Sequence, residues 1–83
     1  MPYKNILVTG GAGFVGSTIC IKLKEQDPSI NVIALDNLVR RGSELNLPRL
    51  KYHGVQFVHG DVRNKEDLDI GDVDLLIECS AEP

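Results

Sequence analysis

The sequence has little that would staple, anchor or heavily charge a chain. Two cysteines, Cys20 and Cys79, stand among 83 residues. They are too few for a disulfide or metal framework, and each reads as a small buried hydrophobe. This usage fits a reducing compartment, and a cytoplasmic location is expected. No basic cluster is present: nine Lys and Arg against twelve Asp and Glu leave a net charge of -3. That balance argues against a dedicated nucleic-acid surface or a polybasic membrane patch, while leaving room for a nucleotide held at one local site. No apolar run approaches the roughly 20 residues that cross a bilayer, and the N-terminus lacks a signal-peptide layout, so no membrane partner is expected. Metal-ligand spacing is missing as well. His53 and His59 flank a predicted strand with no cysteine pair nearby, and His59 reads as a strand-end structural residue. Asp61, Glu78 and Glu82 are carboxylates at predicted strand ends without the spacing of a metal site.

What is present is globular: 42% apolar and 25% charged residues. A chain of this length is near the lower limit for a self-sufficient core, burying only about 60% of its extended surface. Tyr3 to Thr9, with Ile6, Leu7 and Val8, reads as a buried parallel strand ending in glycines. A helix is predicted from near Phe14 to about Gln26, with Val15, Ile19 and Leu23 at spacings of four on one face, stopped by Asp27-Pro28-Ser29. Ile30 to Leu35 is a second strand, ending at Asp36. Ser43 is placed as the cap of a short helix through Leu50, with Leu47 and Leu50 on one side and Pro48 inside it. Val55 to His59 is a third strand, Arg63 to Leu68 a short helix with Asn64 as its cap, and Val73 to Glu78 a fourth strand.

Strands alternating with helical stretches make an α/β fold. The expected architecture is the N-terminal half of a doubly wound Rossmann fold, parallel strands in the order 3-2-1-4, with helices on both faces. The fourth strand begins the second half of such a sheet. Residues 1–83 are therefore expected to be the N-terminal portion of that fold, a fragment of a longer chain.

The strongest local signal is Thr9-Gly10-Gly11-Ala12-Gly13-Phe14-Val15-Gly16-Ser17. Glycines 10, 13 and 16 form G-x-x-G-x-x-G directly after a strand and at the opening of a helix, where a pyrophosphate would be received. Gly10 lets the chain turn off the strand, Gly13 leaves room for the phosphates, and Gly16 lets the helix pack close to the sheet. The unpartnered amides of the first helical turn then face the phosphates. No Gly-Lys-Ser/Thr follows, so this is not a P-loop. Asp36 lies twenty residues after Gly16 at the end of the second strand. A carboxylate there suits the two hydroxyls of an adenosine ribose and repels the 2′-phosphate of NADP, so NAD is the expected cofactor. Arg40 and Arg41 are solvated, face the adenine, or pair with a 2′-phosphate. Asp61, after the third strand, is placed to accept from the adenine amino group with Val62 over the ring; its alternative role is to cap a turn. Ser80 and Ala81 follow the fourth strand, where small residues let the backbone pass near the pyrophosphate.

These residues carry a resemblance. Thr9 to Ser17 resembles the TGGAGFxGS opening of the extended short-chain dehydrogenases/reductases that act on nucleotide sugars. Asp36-Asn37-Leu38 resembles their D-N-L segment, and Gly60-Asp61-Val62-Arg63 their G-D-[IV]-R segment. Within that family, Asp36 to Gly42 followed by Asn46-Leu47 looks most like the CDP-tyvelose (CDP-paratose) 2-epimerases. Ala81 agrees with the family's fourth-strand ending, whereas Glu78 stands where a His is common.

The resemblance implies NAD lined by Gly10, Gly13, Phe14 and Val15, a ribose held by Asp36 with Asn37 and Arg40 beside it, and an adenine held by Asp61 and Val62. It implies a nucleotide-sugar epimerase working by transient hydride transfer on CDP-, UDP- or dTDP-sugars, homodimeric at full length. The alternatives are a nucleotide-sugar 4,6-dehydratase and a non-catalytic NAD-binding regulatory protein. The family's catalytic Ser/Thr and Tyr-x-x-x-Lys map to no position here, since neither Tyr3 nor Tyr52 has a Lys four residues later.

Overall fold

The computed structural model describes residues 3–38, 42–60 and 73–79. Within them the chain runs β1 (Asn5–Thr9), α1 (Phe14–Gln26), β2 (Asn31–Asp36), a 3-10 turn (Ser43–Asn46), α2 (Leu47–Tyr52), β3 (Gln56–His59) and β4 (Leu75–Glu78). The strands form one sheet in the order β3-β2-β1-β4, every pair parallel. This is the expected doubly wound order, with its reversal of direction between β1 and β4. The predicted helix 63–68 lies outside the described residues. No helix among those described is long and apolar enough to cross a membrane.

Alternation along the strands builds two apolar layers, because successive side chains point to opposite faces. Ile6 and Val8 of β1 and Val32 and Ala34 of β2 join Cys20, Ile21 and Leu50 from the helices in one cluster. Leu7, Ile33 and Leu35 form a second cluster on the other face. Both described helices pack on the first face. The steps β1 to β2 and β2 to β3 run the same way across the sheet, and right-handed crossovers then place both connecting helices on one side.

Several boundaries and one face differ from expectation. The strands begin at Asn5, Asn31, Gln56 and Leu75 rather than at Tyr3, Ile30, Val55 and Val73, because the first apolar residue precedes the first ladder pairing. Ser43 does not cap a helix. It opens the 3-10 turn after Gly42, whose φ of 90° is left-handed. Pro48 then sits in the first turn of α2, where its missing N–H has no intrahelical partner to lose. Its presence divides the span into two elements instead of interrupting one. On α1 the buried residues are Gly16, Ser17, Cys20 and Ile21. Leu23 is partly buried against the first cluster, while Val15 is 60% exposed.

The α1–β2 connection is fixed locally. Asp27 caps α1 through its N–H to the Leu23 carbonyl at 3.1 Å. The Lys24 ammonium donates to the carbonyls of Pro28 at 3.0 Å and Ile30 at 2.5 Å. A cation in the last helical turn also complements the negative end of the helix dipole.

Candidate functional site

The parallel register lines up the C-terminal strand ends: Thr9 opposite Leu35 and Glu78, and Asp36 opposite His59. This edge, at the reversal between β1 and β4, is where open α/β sheets hold ligands. The chain leaves it through the glycine loop. Gly10 has φ 68°, a left-handed conformation that glycine adopts at little cost.

The glycines have different jobs. A Cβ on Gly16 would lie 2.1 Å from the Gly10 carbonyl oxygen, and one on Gly11 would lie 2.5 Å from the Ala34 Cβ. Gly16 thus lets the helix close on the loop, whereas the sequence pattern placed that close approach at the sheet. It is Gly11 that presses against β2. Gly13 is the N-cap of α1 with an ordinary extended φ of -71°, and its Cβ would meet only the Gly10 oxygen at 3.3 Å. Internal packing demands glycine at 11 and 16 far more strictly than at 13.

The loop amides are engaged in sequence. Gly11 N donates to Leu35 O at 3.1 Å, Ala12 N to Asp36 Oδ2 at 3.0 Å, and Gly13 N to Gly10 O at 3.1 Å. The first helical bond is Ser17 N to Gly13 O at 2.9 Å. Between them stand the amides of Phe14, Val15 and Gly16, which a helix leaves without intrahelical acceptors. No side chain caps this end and no acidic residue lies in the first turn. No residue of the helix's own first turn offsets the positive end of its dipole. Phe14 and Val15 are 80% and 60% exposed here, so Val15 belongs to the mouth of the loop and not to the buried face.

Asp36 does more than sequence reasoning assigned to it. Its Oδ2 holds Ala12 N, and its Oδ1 accepts from Leu38 N at 2.8 Å. The second bond supports a left-handed Leu38, φ 59°. A carboxylate has about four acceptor sites, so two amides leave capacity for ribose hydroxyls. Asn37 lies beside it, and its carbonyl lies 3.2 Å from His59 Nε2, which accounts for His59 as a structural residue. Sequence reasoning missed Asn46 as part of this site. Its Nδ2 donates to Ala12 O at 2.7 Å, and Arg49 Nη1 donates to Asn46 Oδ1 at 2.9 Å. The only sequence signal was Asn46-Leu47 in the resemblance.

At the β4 end, buried Thr9 donates through Oγ1 to Glu78 Oε1 at 2.5 Å, and Cys79 N donates to Thr9 O at 2.9 Å. Burial, then the neighbouring Cys79, pushes the Cys20 thiol up to about 12. It stays protonated and packs as an apolar side chain. Among the described residues no three His, Cys, Asp or Glu gather in a metal-ligating group. Arg40, Arg41, Asp61, Val62, Ser80, Glu82 and Ala81 lie outside the described residues.

The segment that carries this loop, helix and strand-end carboxylate is similar to known proteins. Residues 6–81 match the model of the NAD dependent epimerase/dehydratase family. The chain belongs to that family. Among its relatives, a CDP-paratose 2-epimerase of Salmonella typhi is 45% identical over 64 residues, covering 76% of this chain and 18% of that protein. A UDP-glucose 4-epimerase of Neisseria meningitidis is 43% identical over 68 residues, covering 78% of this chain and 19% of that protein. The solved structure of a dTDP-glucose 4,6-dehydratase from Bacillus anthracis, in complex with NAD, superposes with a TM-score of 0.84 at 33% identity. It covers 95% of this chain and 27% of that one. The chain thus spans about a fifth of the length of these two curated epimerases. As in the epimerase/dehydratase family at large, its sheet order is that of a Rossmann-type dinucleotide-binding fold.

Proposed function

We propose that this chain holds NAD within a nucleotide-sugar epimerase. The observation that carries the reading is the cradle at the start of α1. Three first-turn amides are left to an external acceptor, Gly13 offers a face without a side chain, and the Asp36 carboxylate is tied to the same loop. The residues present fit a dinucleotide: amides at a helix N-terminus with no acidic residue in its first turn for two phosphates, a carboxylate for two ribose hydroxyls. The same carboxylate opposes the extra phosphate of NADP. The likeness to a CDP-paratose 2-epimerase supports epimerisation, and the likeness to a dTDP-glucose 4,6-dehydratase supports dehydration as the second reading.

Bound there, the cofactor supplies transient hydride acceptance and return at a sugar carbon. This chain's residues bind and orient. The loop amides set the phosphates, and Asp36 sets the adenosine half. The Thr9–Glu78 bond joins β1 to β4 at the crevice where the fold directs the rest of the dinucleotide. Arg40, Asp61, Val62, Ser80 and Ala81 are assigned to the same ligand by resemblance. The substrate we assign is a nucleotide sugar, handled in the cytoplasm, where Cys20 and Cys79 remain thiols.

Calorimetric titration of the full-length protein with NAD and NADP tests the cofactor, and incubation with CDP-, UDP- and dTDP-sugars tests the reaction. Tighter NAD binding and inversion at a sugar carbon are expected. Equal or tighter NADP binding would defeat the assignment of Asp36 and turn attention to Arg40 and Arg41.

A further inference from the structure

We propose that Asn46 is a positioning residue for the phosphate-binding loop, oriented by Arg49 and acting through the Ala12–Gly13 peptide. The inference rests on the reading that a dinucleotide pyrophosphate meets the first turn of α1.

Glycines at 10, 11 and 13 give this loop little stiffness of its own. Its shape depends on anchors from outside, and two side chains supply them on either side of one residue. Asp36 takes the N–H of the Gly11–Ala12 peptide, and Asn46 donates to the C=O of the Ala12–Gly13 peptide at 2.7 Å. The N–H of that second peptide is bonded to Gly10 O. The unit is thereby held at both ends, and it leads directly into Gly13, the N-cap of α1. Its orientation sets where the next three amides point.

Asn46 stands at the N-cap of α2, a position where Asn commonly caps its own helix. It does not: its backbone is helical, φ -86° and ψ -9°, and its side chain makes no cap bond. Instead it reaches a partner 34 positions earlier in the chain. Arg49 fixes which way the amide faces. The guanidinium donates to Oδ1 at 2.9 Å, so Nδ2 must face Ala12. Turned over, the amide would set oxygen against the Ala12 carbonyl and N–H against the guanidinium. Arg49 also reaches Ser17 Oγ at 3.5 Å, linking the pair to α1 itself. A ligand meeting a loop already held in its bound shape binds without the cost of ordering it.

In the full-length protein, Asn46→Ala is expected to weaken NAD and ADP about tenfold, the scale of one lost internal hydrogen bond at its upper range. Adenosine, followed by NMR titration, is expected to change less than about twofold, because it carries no phosphate. Arg49→Ala, at an exposed position, is expected to show the same pattern with a smaller loss. The double variant should be no weaker than Asn46→Ala alone, because Arg49 acts through Asn46. Equal NAD affinity in wild type and Asn46→Ala overturns the proposal. So does an equal loss for adenosine and ADP, which would mark a general structural role. A further loss on adding Arg49→Ala to Asn46→Ala would overturn the relay and make Arg49 act independently of Asn46, through Ser17 or on the phosphate itself. If Asn46→Ala fails to fold, the ADP-against-adenosine comparison in Arg49→Ala decides alone. A wild type that binds neither NAD nor ADP defeats the dinucleotide reading itself, a result distinct from all of these.

Discussion

At the scale of single residues, the glycine pattern separates into positions where packing excludes a side chain and one, Gly13, where it nearly admits one. Gly16 has no room for a Cβ beside the Gly10 carbonyl, whereas Gly13 has nearly enough. Gly16→Ala is therefore expected to destabilise the full-length protein by about 1–3 kcal/mol, the usual cost of overpacking. Gly13→Val is expected to leave the urea midpoint of the apo protein close to wild type while lowering NAD affinity more than about tenfold, because the branched side chain would stand where phosphate approaches the helix. Measuring both quantities for both variants checks the division. Equal behaviour of the two would mean that the loop does not receive the phosphates.

Among the elements, the β1–β4 pair shows how a long-range contact is made and how it depends on pH. Asp74 precedes β4, and its Oδ2 accepts from Lys4 N at 2.9 Å and Asn5 N at 2.7 Å. Its own N–H donates to Asn5 O at 2.8 Å. The Lys4 amide, then the Asn5 amide, hold the carboxyl below the usual carboxylate range. The folded value lies below the unfolded value of about 3.9. The contribution is therefore complete above the unfolded value and is lost as pH falls through the folded one. Asp74→Ala is expected to lower the urea midpoint at pH 7, with the gap to wild type closing below about pH 4. A gap that stays constant from neutral to strongly acid conditions would show that the carboxylate charge plays no part in joining β4 to β1.

For the whole molecule, a place for the cofactor is distinct from a complete reaction centre. Hydride transfer from a sugar carbon needs a group within hydrogen-bonding distance of the hydroxyl whose proton leaves. In the family this chain resembles, that group is a Tyr with a Lys four residues later. Here Tyr3 is followed at that spacing by Leu7 and Tyr52 by Gln56. Residues 1–83 alone are expected to interconvert no nucleotide sugar, in assays of CDP-, UDP- and dTDP-sugars run beside the full-length protein. Turnover at a comparable rate would place the proton carrier among these residues and overturn the catalytic reading.

The sequence by itself determined what depends on neighbours along the chain. The apolar run before the glycines makes β1, Asp27-Pro28 ends α1 at Gln26, and alternating strands and helices make a parallel sheet whose right-handed crossovers set the face each helix covers. Asp36 was legible because strand length and helix length together carry it to the same edge as the loop. The tertiary structure alone decided which face of α1 is buried. The buried residues are Gly16, Ser17, Cys20 and Ile21: Gly16 closes on the loop, where a Cβ would meet the Gly10 carbonyl, and Cys20 and Ile21 join the strand cluster, while Val15 is turned to the exposed mouth of the loop. It alone decided that Asn46 and Asp36 grip opposite sides of Ala12, and that Asp74 ties β4 to the start of β1. Those partners are 34, 24 and 70 positions apart. At such separations no local periodicity links a donor to its acceptor, and only the folded sheet brings them within reach.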